Sequence, residues 1–271
     1  MSEELRELTV YGAQFQPGLD VVANLDQMSS AVTHATAAGA SLIVFPEYAH
    51  TFGPDQGTDW VSQAEQLDGP FVGALSAMSD RAEGTLIISG MLQHSSSGKP
   101  FNTLVCVHDT GVVGVSHKIH LYDAFGHTES DWLSAAPIAD PEIVAVGPWR
   151  IGMQTCYDLR FPEVSRRLID AGANLIVIPA QWVPGPNKLE QWRALLVARA
   201  IEFQCVIVAV GQPAPHGVGH SMVIGPRGDI LAEAADAPGH VVATVSMDQV
   251  EAVREENPMA TARRFGVVWK K

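Results

Sequence analysis

Short apolar runs rich in β-branched residues alternate with amphipathic stretches along most of this chain. Runs of this kind, bounded by glycine, proline or polar residues, predict β-strands. They occur at residues 10–15, 42–45, 85–90, 103–108, 112–117, 143–146, 150–155, 175–179, 205–210 and 241–245, with a hairpin around residues 225–228. Apolar residues at helical spacing predict helices around residues 25–35, from Pro70, directly after Cys156 and at residues 189–203. This order of elements indicates an α/β protein.

One ten-residue pattern occurs twice. Residues 38–47 (AGASLIVFPE) and 171–180 (AGANLIVIPA) each contain the glycine that ends a helix, followed by an apolar strand and a proline. Another helix and strand follow each copy, so the repeat predicts two similar halves packed sheet against sheet with the helices outside. No linker divides the chain, and we expect a single domain over residues 1–271. Only the first copy ends in a carboxylate, Glu47, where the second has Ala180, which indicates a chemical role for Glu47.

Composition excludes several classes of partner. The 17 Lys and Arg residues against 30 Asp and Glu give a net charge of −13, which disfavours nucleic acid and anionic membrane surfaces as partners.

The three cysteines have neither the spacing of a disulfide framework nor that of a zinc site. His117, His120 and Asp123, and also His216 and His220, are weak metal candidates, because residues three apart at a strand end point to different faces and no third cluster completes a site. The N-terminus lacks an apolar signal segment and the apolar runs are too short to span a bilayer, so we expect a cytoplasmic protein.

Cys156 is the strongest candidate nucleophile. It follows the predicted strand at residues 150–155 and precedes a predicted helix. A strand-to-helix turn would present its side chain and direct the first N–H groups of the helix at the reacting atoms, which favours a thiolate. Cys106 and Cys205 lie inside apolar strands and are predicted to be inert core residues.

Two other segments supply charged groups that such a nucleophile needs. Glu47 follows a buried strand, at the end where α/β active sites form, and would accept and return protons. Lys118 ends a hairpin strand and would hold an ammonium group over a developing oxyanion. Glu129 would orient Lys118 or the substrate. Taken singly, each is also compatible with an ordinary solvent-exposed charge.

Together these residues and their neighbours resemble the nitrilase superfamily of carbon–nitrogen hydrolases. The resemblance covers nearly the whole chain and rests on Phe-Pro-Glu at Glu47, His-Lys-Ile-His-Leu at Lys118, Cys-Tyr-Asp-Leu-Arg-Phe-Pro-Glu at Cys156, Phe101-Asn102-Thr103, residues 198–205, Asp248 and Arg263-Arg264. It implies an α/β fold (α+β in some schemes), an α-β-β-α four-layer sandwich. It also implies that Cys156 is the nucleophile, Glu47 the general base and acid, Lys118 the oxyanion stabiliser and Glu129 a positioning residue, with no cofactor.

Cys-Tyr-Asp-Leu-Arg is similar to the amidase branch that includes omega-amidases and deaminated-glutathione amidases. The branch implies cleavage of a small non-peptide amide to a carboxylic acid and ammonia. We expect Tyr157, Arg160 and Trp182 to contact the substrate, with the Tyr157 N–H helping to hold the oxyanion and Arg160 meeting a substrate carboxylate. Gln191-Trp192 departs from the His-Trp pair usual in the branch, and residues 182–187 match none of its patterns.

Other outcomes on the same site stay open. They are nitrile or carbamoyl-group hydrolysis, acyl transfer, and a non-catalytic binding role. Pocket shape would depend on the loops at residues 51–58 and 182–188. The family implies a homodimer or larger homo-oligomer, and the tail from Met247, with Trp269 near its end, is a candidate contact with a partner subunit.

Overall fold

The computed structural model describes residues 6–53, 58–96 and 98–268. The strands in this part of the chain are β1 (Glu7–Gln14), β2 (Leu42–Val44), β3 (Leu86–Gln93), β4 (Phe101–His108), β5 (Gly111–His117), β6 (Val144–Val146), β7 (Trp149–Met153), β8 (Leu175–Ala180), β9 (Val206–Gly211), β10 (Met222–Ile224), β11 (Ile230–Glu233) and β12 (Gly239–Ser246). The predicted strands are confirmed to within a few residues. Part of the loop at residues 51–58 and Trp269 lie outside the described residues.

The α-helices in the described ranges are α1 (Val21–Ala37), α2 (Thr58–Val61), α3 (Pro70–Arg81), α4 (Pro162–Asp170), α5 (Lys188–Phe203), α6 (Met247–Glu256) and α7 (Met259–Ala262). Short 3₁₀ helices occupy Glu129–Asp131 and Cys156–Arg160. The helix predicted directly after Cys156 therefore differs from the structure: a 3₁₀ turn comes first, and α4 begins only at Pro162. Proline suits this first helical position because its missing N–H would have no partner there.

The strands form two six-stranded sheets with the same internal pattern. Their orders are β12-β1-β2-β3-β4-β5 and β11-β10-β9-β8-β7-β6. In one sheet β1, β2 and β3 are parallel, and in the other β7, β8 and β9 are parallel; every remaining neighbour pair is antiparallel. The two similar halves predicted from the repeated ten-residue pattern are thus confirmed, with β2 and β8 as the central equivalent strands.

Successive side chains along each strand point to opposite faces of the sheet, and so they pack into two different cores. Leu42 and Val44 of β2 face the other sheet and share a buried cluster with Leu175 and Val177 of β8. Residues of the opposite parity, such as Ile43, pack against α1 and α3. On the other side, the outward-facing residues of β8 and β9 pack against α4 and α5. This arrangement is the predicted α-β-β-α sandwich, produced by the two-residue period of strands that are buried on both faces.

The segment predicted as a C-terminal tail begins inside the fold. Met247 and Val250 of α6 belong to the core between the sheets. Beyond α7 the chain carries Phe265 and Val268 with more than four fifths of their surface exposed. None of the described helices is long and apolar enough to cross a bilayer.

A close backbone approach fixes the turn that carries Glu47. Gly90 of β3 lies so near this turn that an added Cβ would stand 2.6 Å from the Tyr48 nitrogen and 2.8 Å from the Glu47 Cα. Any side chain at this position would therefore displace the turn. Tyr48 itself has a positive φ of 61°, so the chain leaves β2 sharply and directs Glu47 toward the ends of β7 and β8.

Candidate active site

A partly open cavity lies where the chain leaves β2, β7 and β8. It is lined by Glu47, Tyr48, Lys118, Tyr122, His127, Glu129, Cys156, Tyr157, Arg160, Gln181, Trp182, Val183 and Lys188. The structure therefore brings all seven residues singled out from the sequence into one cavity, although they span more than 130 positions of the chain.

Glu47 is buried and its two carboxylate oxygens have different partners. Oε1 accepts hydrogen bonds from Asn102 Nδ2 at 2.7 Å and from Lys118 Nζ at 3.0 Å. Oε2 accepts one from the Gln181 backbone N–H at 2.6 Å. Gln181 follows β8, so this bond joins the ends of the two equivalent strands across the molecule. The contacts hold the carboxylate in place, and only 1% of Glu47 is exposed.

Lys118 and Glu129 complete a buried charge cluster. Lys118 Nζ donates to Glu129 Oε1 at 2.8 Å as well as to Glu47. Burial alone would lower the pKa of Lys118, but the carboxylates of Glu129 and Glu47 outweigh it and raise the pKa well above its ordinary value. The lysine is therefore an ammonium group at neutral pH. Glu129 also accepts hydrogen bonds from the Tyr48 hydroxyl and, at 2.6 Å, from the Tyr122 N–H, which fix its position beside Lys118 Nζ.

Cys156 opens the 3₁₀ helix in a backbone conformation that non-glycine residues rarely adopt. Its φ is +42°, in a region that is costly for a residue with a Cβ and persists only where the surroundings impose it. Its Sγ lies 3.6 Å from the Gln181 carbonyl oxygen, and the side chain borders the cavity although only 6% of the residue is exposed. Cys106 and Cys205 are fully buried in the cores, as predicted.

The expectation of a resting thiolate at Cys156 is corrected by its surroundings. Burial, followed by the negative charge of Glu47, raises the pKa of the Cys156 thiol well above its ordinary value; Lys118 opposes this with a smaller effect. The predicted helix N-terminus is also not at the thiol, because α4 begins six residues later. The raised pKa keeps Cys156 a protonated thiol near neutral pH, so it needs a base at the moment of reaction.

The other predicted contacts also line the cavity. Trp182 is buried, and its indole N–H donates to the Lys188 carbonyl oxygen at 2.9 Å. The Arg160 guanidinium lies over the Trp182 ring, 4.7 Å from its centroid, and donates to Gln191 Oε1 at 2.7 Å. Tyr157 packs edge-on against Tyr122, with ring centroids 5.0 Å apart. Arg160 is thus a half-buried residue of the cavity wall and not a surface arginine.

Sequence analysis missed Lys188, the first residue of α5. Only 6% of it is exposed, and its Nζ lies 3.9 Å from the centroid of the Phe125 ring and 2.9 Å from the Tyr122 hydroxyl. Burial and then the charge of Arg160 lower its pKa. The loop at residues 182–188 was expected to shape the pocket, but nothing in the sequence singled out Lys188 within it.

Three of the histidines considered as weak metal candidates pair with nearby polar side chains. His117 Nε2 lies 2.9 Å from Gln93 Oε1, and His120 Nδ1 lies 2.7 Å from Asp158 Oδ1. His220 Nδ1 lies 2.8 Å from Glu233 Oε1. Within residues 6–53, 58–96 and 98–268, no three histidine, cysteine or acidic side chains are grouped so that they could hold a metal ion.

The comparisons with known proteins agree on one family. Residues 10–255 match the family model Carbon-nitrogen hydrolase. The hydrolase Rv0480c of Mycobacterium tuberculosis is 37% identical over 261 residues, covering 90% of this chain and 91% of the relative. The deaminated glutathione amidase of Escherichia coli O157:H7 is 36% identical over 243 residues, covering 89% of this chain and 92% of the relative.

A solved structure supports the same grouping. XC1258 of Xanthomonas campestris, described as a CN-hydrolase superfamily protein with an arsenic adduct in the active site, superposes with a TM-score of 0.85 at 26% identity. The match covers 97% of this chain and 99% of that one. The resemblance first seen in the sequence motifs is confirmed, and so is the fold that it implied.

Proposed function

Because the chain belongs to the carbon–nitrogen hydrolase family, we propose that it is an amidase that cleaves a small non-peptide amide through a Cys156 thioester. The observation that carries this proposal is the placement of the Cys156 thiol beside a buried Glu47 and Lys118 in one cavity. Nucleophile, base and cation are the groups that amide cleavage requires. The relatives named as amidases support the same reaction class.

Acylation begins with a proton transfer within this cluster. Glu47 takes the thiol proton as Sγ attacks the amide carbonyl carbon, so a thiolate need not be present beforehand. Lys118 Nζ and the Tyr157 N–H stabilise the negative charge on the carbonyl oxygen. Glu47 then delivers the proton to the nitrogen, the C–N bond breaks, ammonia leaves, and the acyl group remains on sulfur.

Deacylation repeats the same transfers with water. Glu47 removes a proton from water as its oxygen attacks the thioester carbonyl, and the proton returns to sulfur as the C–S bond breaks. Glu129 keeps Lys118 in position through both steps. Because Glu47 must start as the base and then act as the acid, hydrolysis should show a bell-shaped pH dependence, and a flat rate from about pH 5 to about pH 10 would contradict this scheme.

The substrate is expected to carry a carboxylate. Arg160 presents a guanidinium to the cavity, and such a group binds a carboxylate through two parallel hydrogen bonds. Omega-amides of dicarboxylic and 2-oxo acids satisfy this requirement, and deaminated glutathione, the substrate named for several relatives, belongs in the same test.

Product analysis on a panel of substrates tests the proposal. Ammonia release is measured from carboxylate-bearing omega-amides, neutral amides, carbamoyl amines and nitriles, and loss of deaminated glutathione is followed by chromatography. Cys156→Ala serves as the blank. Cys156-dependent turnover of an amide is the expected result. Turnover of nitriles or carbamoyl amines alone, amine-dependent acyl transfer, or no Cys156-dependent product would each contradict it.

We also propose that the enzyme is a cytoplasmic homodimer or larger homo-oligomer, as the family resemblance implies. The exposed apolar side chains of Phe265 and Val268 support a contact with another subunit. Sedimentation analysis of the full chain and of a Phe265→Ser/Val268→Ser variant tests this. A monomeric full chain would contradict it.

A further inference from the structure

Two cations of the cavity wall converge on the same aromatic rings. Lys188 Nζ and the Arg160 guanidinium carbon lie 3.9 and 5.6 Å from the Phe125 ring centroid, and 5.8 and 4.7 Å from that of Trp182. Lys188 comes from the start of α5 and Arg160 from the 3₁₀ helix after the nucleophile. Separate parts of the chain therefore direct like charges at one small region beside Cys156.

No carboxylate of the described chain neutralises either cation. Every ion pair found in residues 6–53, 58–96 and 98–268 involves other lysines, arginines or histidines. Among the residues that the structure describes, Lys188 Nζ donates to the uncharged Tyr122 hydroxyl, and Arg160 Nε is buried without a hydrogen-bond partner. Aromatic rings offset part of the cost of burying a cation, but they do not supply the missing negative charge.

We propose that Lys188 is a specificity-determining residue that, with Arg160, binds the carboxylate of the substrate. Arg160 offers a planar fork that sets the orientation of the carboxylate, and Lys188 adds a point charge from the start of α5. This inference rests on the proposed function for the identity of the reacting group, an amide. The binding of the anion itself does not depend on turnover.

Binding measurements on the Cys156→Ala protein test the anion site separately from the proposed amidase activity. The probes are glutaramate, which has an amide at one end and a carboxylate at the other, and glutaramide, in which the carboxylate is replaced by a second amide. Calorimetry should show tighter binding of glutaramate. Lys188→Met should weaken glutaramate binding about 10- to 100-fold, as expected for a lost charge-assisted hydrogen bond, and change glutaramide binding little.

Matched variants distinguish recognition from structural support. Methionine keeps the length and apolar stem of lysine inside the aromatic surroundings, and Lys188→Arg keeps the charge and should stay within a few-fold of the parent. Arg227→Gln removes a positive charge from an exposed ion pair with Glu256 outside the cavity and should have no effect. Equal weakening of both probes by Lys188→Met, or no weakening of either, would overturn the inference.

A double variant tests whether both cations hold the same group. If Lys188 and Arg160 bind one carboxylate, the loss in Lys188→Met/Arg160→Gln should be smaller than the product of the single losses. Independent effects would contradict a shared site. A protein that binds glutaramate in this way but hydrolyses no amide would refute the proposed function and leave the anion site standing.

Discussion

The two halves of the molecule have the same topology but unequal chemistry. In strand register, Cys156 after β7 corresponds to Phe15 after β1, and Glu47 after β2 corresponds to Ala180 at the end of β8. Phe15 packs edge-on against Phe45 in the core, whereas Cys156 borders the cavity. The first half contributes Glu47 and the second contributes the nucleophile. A repeated fold thus supplies two equivalent strand ends, and different side chains at those ends make one reactive centre between the halves.

The largest expected effect comes from removing the nucleophile of the second half. Cys156→Ala should lower amide hydrolysis by about 10⁴-fold or more, because no other group can form the thioester. Steady-state kinetics on a carboxylate-bearing amide measures this. Cys205→Ala is the matched control, since Cys205 is buried in the same half away from the cavity; it should retain activity and lose about 1–2 kcal/mol of stability. Similar inactivation of both variants would contradict the assignment.

Lys118 donates hydrogen bonds to the buried carboxylates of Glu47 and Glu129. Its removal should have the next largest effect on activity. Lys118→Met removes the oxyanion donor and should lower kcat by about 10²–10³-fold. It also leaves Glu47 and Glu129 buried without their shared cation, so the melting temperature should fall. Thermal denaturation and kcat are measured together. An active Lys118→Met enzyme would show that the oxyanion is held elsewhere.

Arg160 tests whether the second half also selects the substrate. Arg160→Ala should raise KM about ten-fold for a carboxylate-bearing amide, because a charge-assisted hydrogen bond is lost. A neutral amide should change much less. KM is measured for both substrates with the wild type and the variant. Equal changes in KM would show that Arg160 does not recognise the carboxylate.

The smallest expected effect is at the equivalent position of the first half. Phe15→Leu should lower the free energy of unfolding by about 1 kcal/mol through poorer packing against Phe45, with kcat unchanged. Denaturant unfolding and kinetics check this. A large loss of kcat without loss of stability would mean that Phe15 takes part in the site, and the contrast between the halves would fail.

The features that could be predicted from the sequence are those that local patterns along the chain determine. Strands, glycine stops and the repeated ten-residue pattern depend on neighbours along the chain, so the two halves followed from them. The motifs around Glu47, Lys118 and Cys156 identified the cluster. The protonation state of Cys156 could not be predicted in the same way, because its pKa depends on burial and on Glu47, more than 100 residues away. Lys188 was missed because the sequence of the loop at residues 182–188 does not show which of its side chains line the cavity.

Glu47→Gln tests most directly the claim that Glu47 of one half acts as the base for Cys156 of the other. Thiolate formation is followed by ultraviolet absorbance against pH, with Cys156→Ala subtracted; Cys106 and Cys205, whose pKa values are raised to about 12 by burial, contribute little below that pH. Since burial and the charge of Glu47 raise the pKa of Cys156, wild-type thiolate should form only well above the ordinary pKa of a thiol.

Removing the negative charge of Glu47 should move this titration to lower pH, because less energy is then required to form the thiolate beside it. Hydrolysis should nevertheless fall by about 10²–10⁴-fold, since the proton has no acceptor and the departing nitrogen no donor. A more readily formed thiolate together with a nearly inactive enzyme is the predicted result. An unmoved thiolate titration with hydrolysis retained would contradict the account.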